Sequence, residues 1–209
     1  MTEPAAYVFD LDGVVRDFAP GSPDGLIEAA LGLPAGGLAG LAFRPDLIEP
    51  VITGRRTFEQ WYDAVCLALE GAVPEPARVR EHMTQWRTHR GSPVDETVER
   101  IRALRDEGHR TYVFTNGTDL IPEELELLGL ADLFDRVLNS ADFGVAKPDP
   151  AAYAAAHRAI EEDLGPLDPA AVWFTDDRAD NVTAAAQFGW RAVLFEPTTR
   201  AGQQGTQAR

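Results

Sequence analysis

Four short groups of polar residues in this sequence have the types and order that phosphoryl transfer requires. They are Asp10 with Asp12, Thr115-Asn116-Gly117, Lys147-Pro148, and Asp176-Asp177 with Asn181. Carboxylates this close together repel one another unless a hard cation lies between them, and Mg²⁺ takes such oxygen ligands while keeping several waters. One further carboxylate can act as a nucleophile, and a lysine together with a metal can neutralise phosphoryl oxygens. The four groups therefore indicate chemistry at phosphorus.

The elements that must position these groups are strands of a parallel sheet. Apolar runs predict buried strands at residues 5–9, 111–114, 171–174 and 192–195, with a weaker one at 136–139. Helical patterns lie between them at 93–107, 118–128, 149–162 and 179–188, and Asp149-Pro150 opens the third as an N-cap followed by proline. This alternation predicts an α/β fold with a Rossmann-like three-layer α/β/α core. Because the carboxyl ends of parallel strands meet at one edge, the four groups should share a crevice.

The segment from residue 18 to residue 90 interrupts this alternation and lacks a clear strand. Thr57 is predicted to cap a helix, a second helix is expected at about residues 75–90, and the Gly- and Pro-rich pieces at 19–25 and 34–40 are expected to be loops. The sequence thus predicts a core of residues 1–17 and 91–197, a helical cap inserted at 18–90, and a flexible tail at 198–209.

The ordered groups resemble the four motifs of the haloacid dehalogenase superfamily. The matching stretches are Asp10-Leu11-Asp12-Gly13-Val14, Phe114-Thr115-Asn116-Gly117, Lys147-Pro148-Asp149-Pro150, and Phe174-Thr175-Asp176-Asp177 with Asn181. They occur in the family's order and span nearly the whole chain. The helical insertion after the first motif is similar to the family's helical (C1-type) cap class, which includes sugar-phosphate and phosphoglycolate phosphatases and hexose-phosphate mutases.

The resemblance implies a role for each motif residue. Asp10 would be the nucleophile that becomes phospho-aspartate, and Asp12 would be the general acid and base. The implied Mg²⁺ ligands are the Asp10 carboxylate, the Asp12 backbone carbonyl, Asp176 and Asp177, with Asn181 beside them. The implied phosphate-binding groups are Thr115, the Asn116 backbone and Lys147.

The activity that this resemblance implies is Mg²⁺-dependent hydrolysis of a small phosphorylated metabolite, such as a sugar phosphate. Haloacid dehalogenases lack the second acid, here Asp12, so a dehalogenase is less favoured. A hexose-phosphate mutase shares every core motif and stays open. A non-enzymatic phospho-switch like a receiver domain is disfavoured, because receivers place the acidic pair first and the lysine last. A catalytically dead metabolite-binding protein is disfavoured by the complete motif set.

The amino-acid composition limits the classes of molecule that the protein is expected to bind. The 209 residues contain 19 Lys and Arg against 34 Asp and Glu, a formal net charge of −15. This acidity disfavours nucleic acids and anionic membranes, which need a basic surface, but it leaves a small phosphorylated substrate open. A single cysteine, Cys66, and the lack of a signal-peptide pattern or long apolar run predict a cytoplasmic protein. The oligomeric state, monomer or small homo-oligomer, stays open.

Several residues of the insertion are weaker candidates. His82, Trp86 and His89 are predicted to share one helix face and to pack against the core, or alternatively to form a substrate-facing wall. Zinc binding is disfavoured because no third ligand is visible. Arg44 is a candidate for substrate contact, and Cys66 is predicted to be a small buried apolar residue.

Overall fold

The computed structural model of the protein describes residues 3–196, in which seven strands form one parallel sheet and one small ribbon. The strands are β1 (Ala6–Phe9), β2 (Arg16–Asp17), β3 (Ser92–Pro93), β4 (Arg110–Thr115), β5 (Arg136–Asn139), β6 (Val172–Asp176) and β7 (Arg191–Leu194). The five-stranded sheet has the order β5-β4-β1-β6-β7, and every neighbouring pair is parallel. β2 and β3 pair antiparallel where the chain leaves and re-enters the region of the sheet. The predicted α/β class is confirmed.

Ten α-helices within residues 3–196 complete the fold. They are α1 (Asp24–Leu31), α2 (Gly37–Ala42), α3 (Pro45–Ile52), α4 (Phe58–Glu70), α5 (Val79–Thr88), α6 (Asp95–Asp106), α7 (Ile121–Leu127), α8 (Ser140–Phe143), α9 (Pro150–Leu164) and α10 (Ala179–Phe188). α4 and α9 begin as the sequence predicts. Thr57 forms a capping box with Gln60, and the Asp149 side chain accepts a hydrogen bond from the Ala151 N–H.

The sheet is buried on both faces because successive side chains of a strand point to opposite sides. Val8 and Phe114 pack with α9 and α10, whereas Phe9 and Val113 pack with α6 and α7. The result is the predicted three-layer core. Its strands are consequently apolar on both sides, which is why they appear in the sequence as continuous apolar runs.

Helices α1 to α5 form a separate apolar cluster of their own. Its buried members include Leu38, Val51, Trp61, Cys66 and Met83, so Cys66 is buried as predicted. A free-standing cluster of this kind gives the inserted segment a core that does not depend on the sheet.

Two sequence expectations for the inserted segment were wrong, and one helix was missed. The predicted loop at 34–40 contains the start of α2, α1 begins inside the loop predicted at 19–25, and α3 was not predicted at all. Burial of Leu38 and Ala42 from α2, and of Leu47 and Val51 from α3, explains the difference, because tertiary packing overrides the weak helix propensity of glycine and proline. The helix expected at about 75–90 is shorter, with a 3₁₀ turn at Pro76–Arg78 before α5.

Two further points concern the limits of the description. The tail predicted at residues 198–209 lies outside the described residues. No helix within residues 3–196 has the length and apolar character needed to cross a membrane.

Candidate active site

The carboxyl ends of three adjacent strands bring the acidic motifs together. β1 lies between β4 and β6, with Phe9 in register with Val113 on one side and Thr175 on the other. Asp10 follows β1 directly, and its N–H donates to the Thr175 carbonyl at 2.8 Å, which extends the β1–β6 ladder by one residue. Asp176 ends β6. The two aspartates therefore emerge side by side at one edge of the sheet.

Lys147 links these two carboxylates through hydrogen bonds. Its Nζ donates to Asp10 Oδ1 at 2.9 Å, to Asp176 Oδ2 at 2.7 Å and to the Phe114 carbonyl at 2.8 Å. The three residues Asp10, Lys147 and Asp176 are 7%, 5% and 0% exposed. Charge-assisted hydrogen bonds of this length in a buried setting are strong and fix the geometry of all three groups.

The position of Lys147 is set by Asn116. The Asn116 side chain accepts a hydrogen bond from the Lys147 N–H and donates one to the Lys147 carbonyl, both at 2.8 Å. The Lys147–Pro148 peptide is cis. Sequence reasoning assigned only the Asn116 backbone to the site, so this side-chain clamp between the second and third motifs is a new finding.

Burial and charge shift the pKa values of this group in opposing ways. Burial raises the pKa of Asp10 to about 7, although the Lys147 ammonium works in the other direction. Burial alone would lower the pKa of Lys147, but the Asp10 and Asp176 carboxylates outweigh it, and the net shift is upward. Lys147 is therefore held as a cation, while Asp10 can exchange a proton near neutral pH.

Three carboxylates at this edge of the sheet are close enough together to hold one cation. One oxygen each of Asp10, Asp176 and Asp177 lies within 4.8 Å of the other two. Burial raises the pKa of Asp177. Because Lys147 supplies a single positive charge, the ionised cluster keeps two negative charges, which suits a divalent cation with oxygen ligands.

Two residues shape this cluster without carrying charge. The Asn181 amide donates to both oxygens of Asp176 at 3.0 Å. Gly13, at φ +89°, leaves room for Asp177, because a Cβ there would collide with the Asp177 carboxylate. A side chain at position 13 would displace the Asp177 carboxylate, and the positive φ would strain it as well.

Asp12 lies outside that cluster and faces a different partner. Its Oδ1 accepts from Arg16 Nε at 2.7 Å. Arg16 Nη1 donates to Glu124 Oε2 at 2.6 Å, and Arg90 Nε lies 3.1 Å from Glu124 Oε1. Arg16 is buried, and the carboxylates of Asp12 and Glu124 overcome the effect of burial and raise its pKa. Sequence reasoning missed this chain of charges, because Arg16 and Glu124 are 108 positions apart.

Thr115, the remaining phosphate-binding candidate, is the last residue of β4 and is buried. Asn116 and Gly117 follow it and border a cavity of about 240 Å³, which also meets Asp12. Arg44 is not among the residues that line this cavity. Its exposed side chain instead pairs with Asp46, two positions along, at 2.6 Å, and its neighbour Phe43 lines the cavity.

The predicted face of His82, Trp86 and His89 is only partly correct. α5 ends at Thr88, so His89 lies beyond the helix, where its ring contacts Phe18 and its Nε2 lies 3.1 Å from the Phe18 carbonyl. Trp86 packs on Trp61 within the helical cluster rather than on the sheet. Trp86 and His89 both line the cavity, which agrees with the alternative interpretation of a wall.

Comparison with known proteins identifies the family. Residues 4–189 match the haloacid dehalogenase-like hydrolases. The chain belongs to this family. It is 30% identical over 210 residues to phosphatase MT3486 of Mycobacterium tuberculosis (strain CDC 1551 / Oshkosh), covering 95% of this chain and 89% of that protein. It is 30% identical over 199 residues to a phosphoglycolate phosphatase of Cereibacter sphaeroides, covering 90% of this chain and 83% of the relative.

Solved structures of this family share the fold. A family enzyme of Bacteroides thetaiotaomicron, in complex with magnesium and inorganic phosphate, superposes with a TM-score of 0.67 at 18% identity, covering 92% of this hydrolase and 94% of that chain. A dehalogenase in an intermediate complex superposes with a TM-score of 0.71 at 22% identity, covering 99% and 90%. At these identities the likeness establishes the fold, and the chemistry of this haloacid dehalogenase-like hydrolase must be argued from its own residues.

Proposed function

We propose that this hydrolase is a Mg²⁺-dependent phosphatase that cleaves small phosphomonoesters through a phospho-aspartate at Asp10. The observation that carries the proposal is the buried Asp10–Lys147–Asp176 arrangement, with a second acid, Asp12, beside the adjoining cavity. The phosphatase relatives at 30% identity support the same assignment.

Asp10 is the proposed nucleophile. Its Oδ1 is held by the Leu11 N–H at 2.8 Å and by Lys147, so Oδ2 is the oxygen left to attack phosphorus. The Oδ2–phosphorus bond forms as the ester P–O bond breaks, and the alcohol oxygen takes a proton from Asp12. In the second half, water attacks phosphorus, Asp12 takes back a proton, and the bond to Asp10 breaks to release phosphate.

Arg16 is proposed as the residue that positions Asp12 for this proton transfer. Its guanidinium is rigid and buried, and it holds Asp12 Oδ1 at 2.7 Å while Glu124 holds the guanidinium from the other side. The second oxygen of the Asp12 carboxylate is thereby left for the leaving group.

The proposed Mg²⁺ ligands are the carboxylates of Asp10 and Asp177 and the backbone carbonyl of Asp12, with Asp176 binding directly or through water. The cluster geometry and its residual negative charge support this fit. When bound, Mg²⁺ would neutralise charge on the phosphoryl oxygens. Lys147, Thr115 and the Asn116 N–H are proposed to hold those oxygens from the opposite side.

The inserted segment, residues 18–90, is proposed to act as a cap. The Phe58 N–H at the start of α4 donates to Asp119 Oδ1 at 2.6 Å, and Ser140 Oγ donates to the Ile52 carbonyl at 2.6 Å. These two contacts hold the segment over the edge of the sheet that carries the site, where it excludes water.

The decisive experiment compares the wild type with Asp10→Asn for release of inorganic phosphate from nitrophenyl phosphate, with Mg²⁺ present or removed by EDTA. We expect Asp10→Asn to lose at least about a thousandfold in rate, and EDTA to abolish activity reversibly. Asp132→Asn is the matched control, because Asp132 is exposed and distant in sequence from every motif. Near wild-type turnover by Asp10→Asn contradicts the proposal. Isomerised sugar phosphate with little free phosphate would indicate a mutase instead.

A further inference from the structure

The cavity beside the candidate site has an unusual wall for a small polar metabolite. Five aromatic side chains line it, together with three isoleucines. We call the five aromatic residues the aromatic wall: Phe18, Phe43, Phe58, Trp61 and Trp86. All five lie in the inserted segment, residues 18–90, and four of them belong to α4 or α5 or directly follow α2.

Four members of the aromatic wall are in contact through Trp61, whereas Phe18 packs on His89, which also lines the cavity. The ring of Trp61 lies 5.7 Å from Phe43, 5.8 Å from Phe58 and 5.2 Å from Trp86, measured between centroids. Phe43 is 55% exposed and Phe18 is 38% exposed, whereas Phe58 and Trp61 are buried, so Phe43 and Phe18 leave apolar surface open at the cavity. Open apolar surface in a concave site is typical of a binding site for an apolar group.

The basic side chains of the cavity already have partners. Arg16 pairs with Asp12 and Glu124, and Arg90 pairs with Glu124 while its guanidinium lies 5.6 Å from the centre of the Phe58 ring. The Nε2 of His89 lies within hydrogen-bond distance, 3.1 Å, of the Phe18 carbonyl oxygen. Among the cavity residues that the structure describes, no cation is left unpaired for a second carboxylate or phosphate of a substrate.

We propose that the preferred substrate is the phosphate monoester of an apolar alcohol, whose hydrocarbon or aryl group packs against the aromatic wall. This substrate class rests on the proposed phosphatase function. It requires that the phosphoryl group sit at Asp10 while the leaving group extends past Asp12 and Asn116 into the cavity. A carboxylated leaving group, as in phosphoglycolate, would be desolvated there with no free cation to receive it.

The test compares three esters of primary alcohols, so that leaving-group chemistry is matched: phenethyl phosphate, glycerol phosphate and phosphoglycolate. Nitrophenyl phosphate reports whether any phosphatase activity is present. We expect kcat/KM for phenethyl phosphate to exceed that of the other two by at least about tenfold, since small apolar differences in a hydrophobic pocket give ratios of that order. Equal or faster hydrolysis of glycerol phosphate or phosphoglycolate overturns the substrate class and leaves the phosphatase assignment standing. No hydrolysis of any ester, nitrophenyl phosphate included, overturns the phosphatase assignment, and the substrate class falls with it.

A second arm locates the preference on the aromatic wall. Phe43→Ser removes an aromatic side chain that is already more than half exposed, so the helical cluster should keep its stability, which thermal unfolding verifies. The expected result is a fall of about tenfold in the ratio of kcat/KM for phenethyl phosphate to that for glycerol phosphate. Leu67→Ser is the matched control, because Leu67 is 67% exposed on α4 and does not line the cavity. An unchanged ratio in Phe43→Ser, or an equal fall in Leu67→Ser, contradicts the proposal.

Discussion

Replacing Lys147 with methionine tests the electrostatic core of the site. Lys147 is the single lysine of the sequence, in which the other 18 basic residues are arginine. The substitution keeps an unbranched side chain of similar length but removes the ammonium that joins Asp10 and Asp176. It therefore changes the charge of the site with little change in packing volume.

The size of the effect follows from burial. Asp10 and Asp176 are 7% and 0% exposed, so the variant leaves two neighbouring carboxylates without a cation. Removal of one partner from a buried ion pair destabilises by about 3–5 kcal/mol. A domain of this size has a free energy of unfolding of about 5–15 kcal/mol, so Lys147→Met should remain folded with a reduced margin. At a urea dependence of about 2 kcal/mol/M, the midpoint should fall by on the order of 2 M.

Urea unfolding followed by tryptophan fluorescence, in EDTA and in Mg²⁺, measures this loss. Mg²⁺ should restore part of the stability of Lys147→Met, because a cation that binds only the folded state stabilises it. Lower pH should narrow the gap as well. Burial raises the pKa of Asp10, and the variant lacks the Lys147 ammonium that opposes this shift, so protonation of Asp10 on acidification favours the folded variant. Arg44→Met is the control, because it removes a cation from an exposed pair with Asp46 and should leave the urea midpoint almost unchanged.

Two results would refute this reasoning. A destabilisation by Lys147→Met no larger than that of Arg44→Met would mean that the three Nζ hydrogen bonds contribute little to the folded state. A loss of the expected size that Mg²⁺ and acidification both fail to reduce would assign it to packing, not to the uncompensated carboxylates.

Three further predictions concern the same site. Selective ¹⁵N-labelling of lysine should give one side-chain NMR signal, that of Lys147. Its pKa should lie above that of a free lysine, because the Asp10 and Asp176 carboxylates raise it. A pKa at or below the free value contradicts this. Gly13→Ala should weaken Mg²⁺ binding in a calorimetric titration, because the added Cβ meets the Asp177 carboxylate. It should also lower the free energy of unfolding by about 1–2 kcal/mol, because a positive φ is unfavourable for alanine. Unchanged Mg²⁺ affinity would mean that Asp177 is not a ligand. Mg²⁺ affinity should level off only well above pH 7 and fall as the pH drops through about 7, because burial raises the pKa of Asp10 to about 7 and protons then compete with the metal. A flat profile from pH 8 to 5 refutes this.

The α/β core, and the convergence of Asp10, Lys147 and Asp176 at one edge of the sheet, could be predicted because their signals are local. The three strands β1, β4 and β6 are short apolar runs that stop at Asp10, Thr115 and Asp176. Because the carboxyl ends of parallel strands meet at one edge of a sheet, these residues are expected to lie close together. The sequence order of the strands differs from their order in the sheet. The three ends meet because β1 lies between β4 and β6, and that order is not given by the local sequence pattern.

The inserted segment was harder to predict because its stability is not local. α2 is a six-residue helix with two glycines, and α3 contains Pro50, so neither has strong intrinsic helix propensity. Both form because their apolar residues complete the helical cluster. The pairing of Arg16 with Glu124 was invisible for a related reason, since one sequence carries no information on which distant charges meet.

The use of lysine at position 147 in a chain otherwise reliant on arginine has a geometric reason. The Nζ of Lys147 has three N–H donors and meets three acceptors, on Asp10, Asp176 and the Phe114 carbonyl. It lies 4.9 Å and 5.2 Å from the ring centres of Phe114 and Phe174, which close the space around it. A guanidinium would bring five donors on a rigid plane into this space, and the surplus donors would be buried without partners. Because every donor of Lys147 is already used, a phosphoryl oxygen can bind it only by replacing one of the three acceptors. Release of one carboxylate from the ammonium would then accompany substrate binding, and Asp10, the proposed nucleophile, is the acceptor that lies next to the phosphorus.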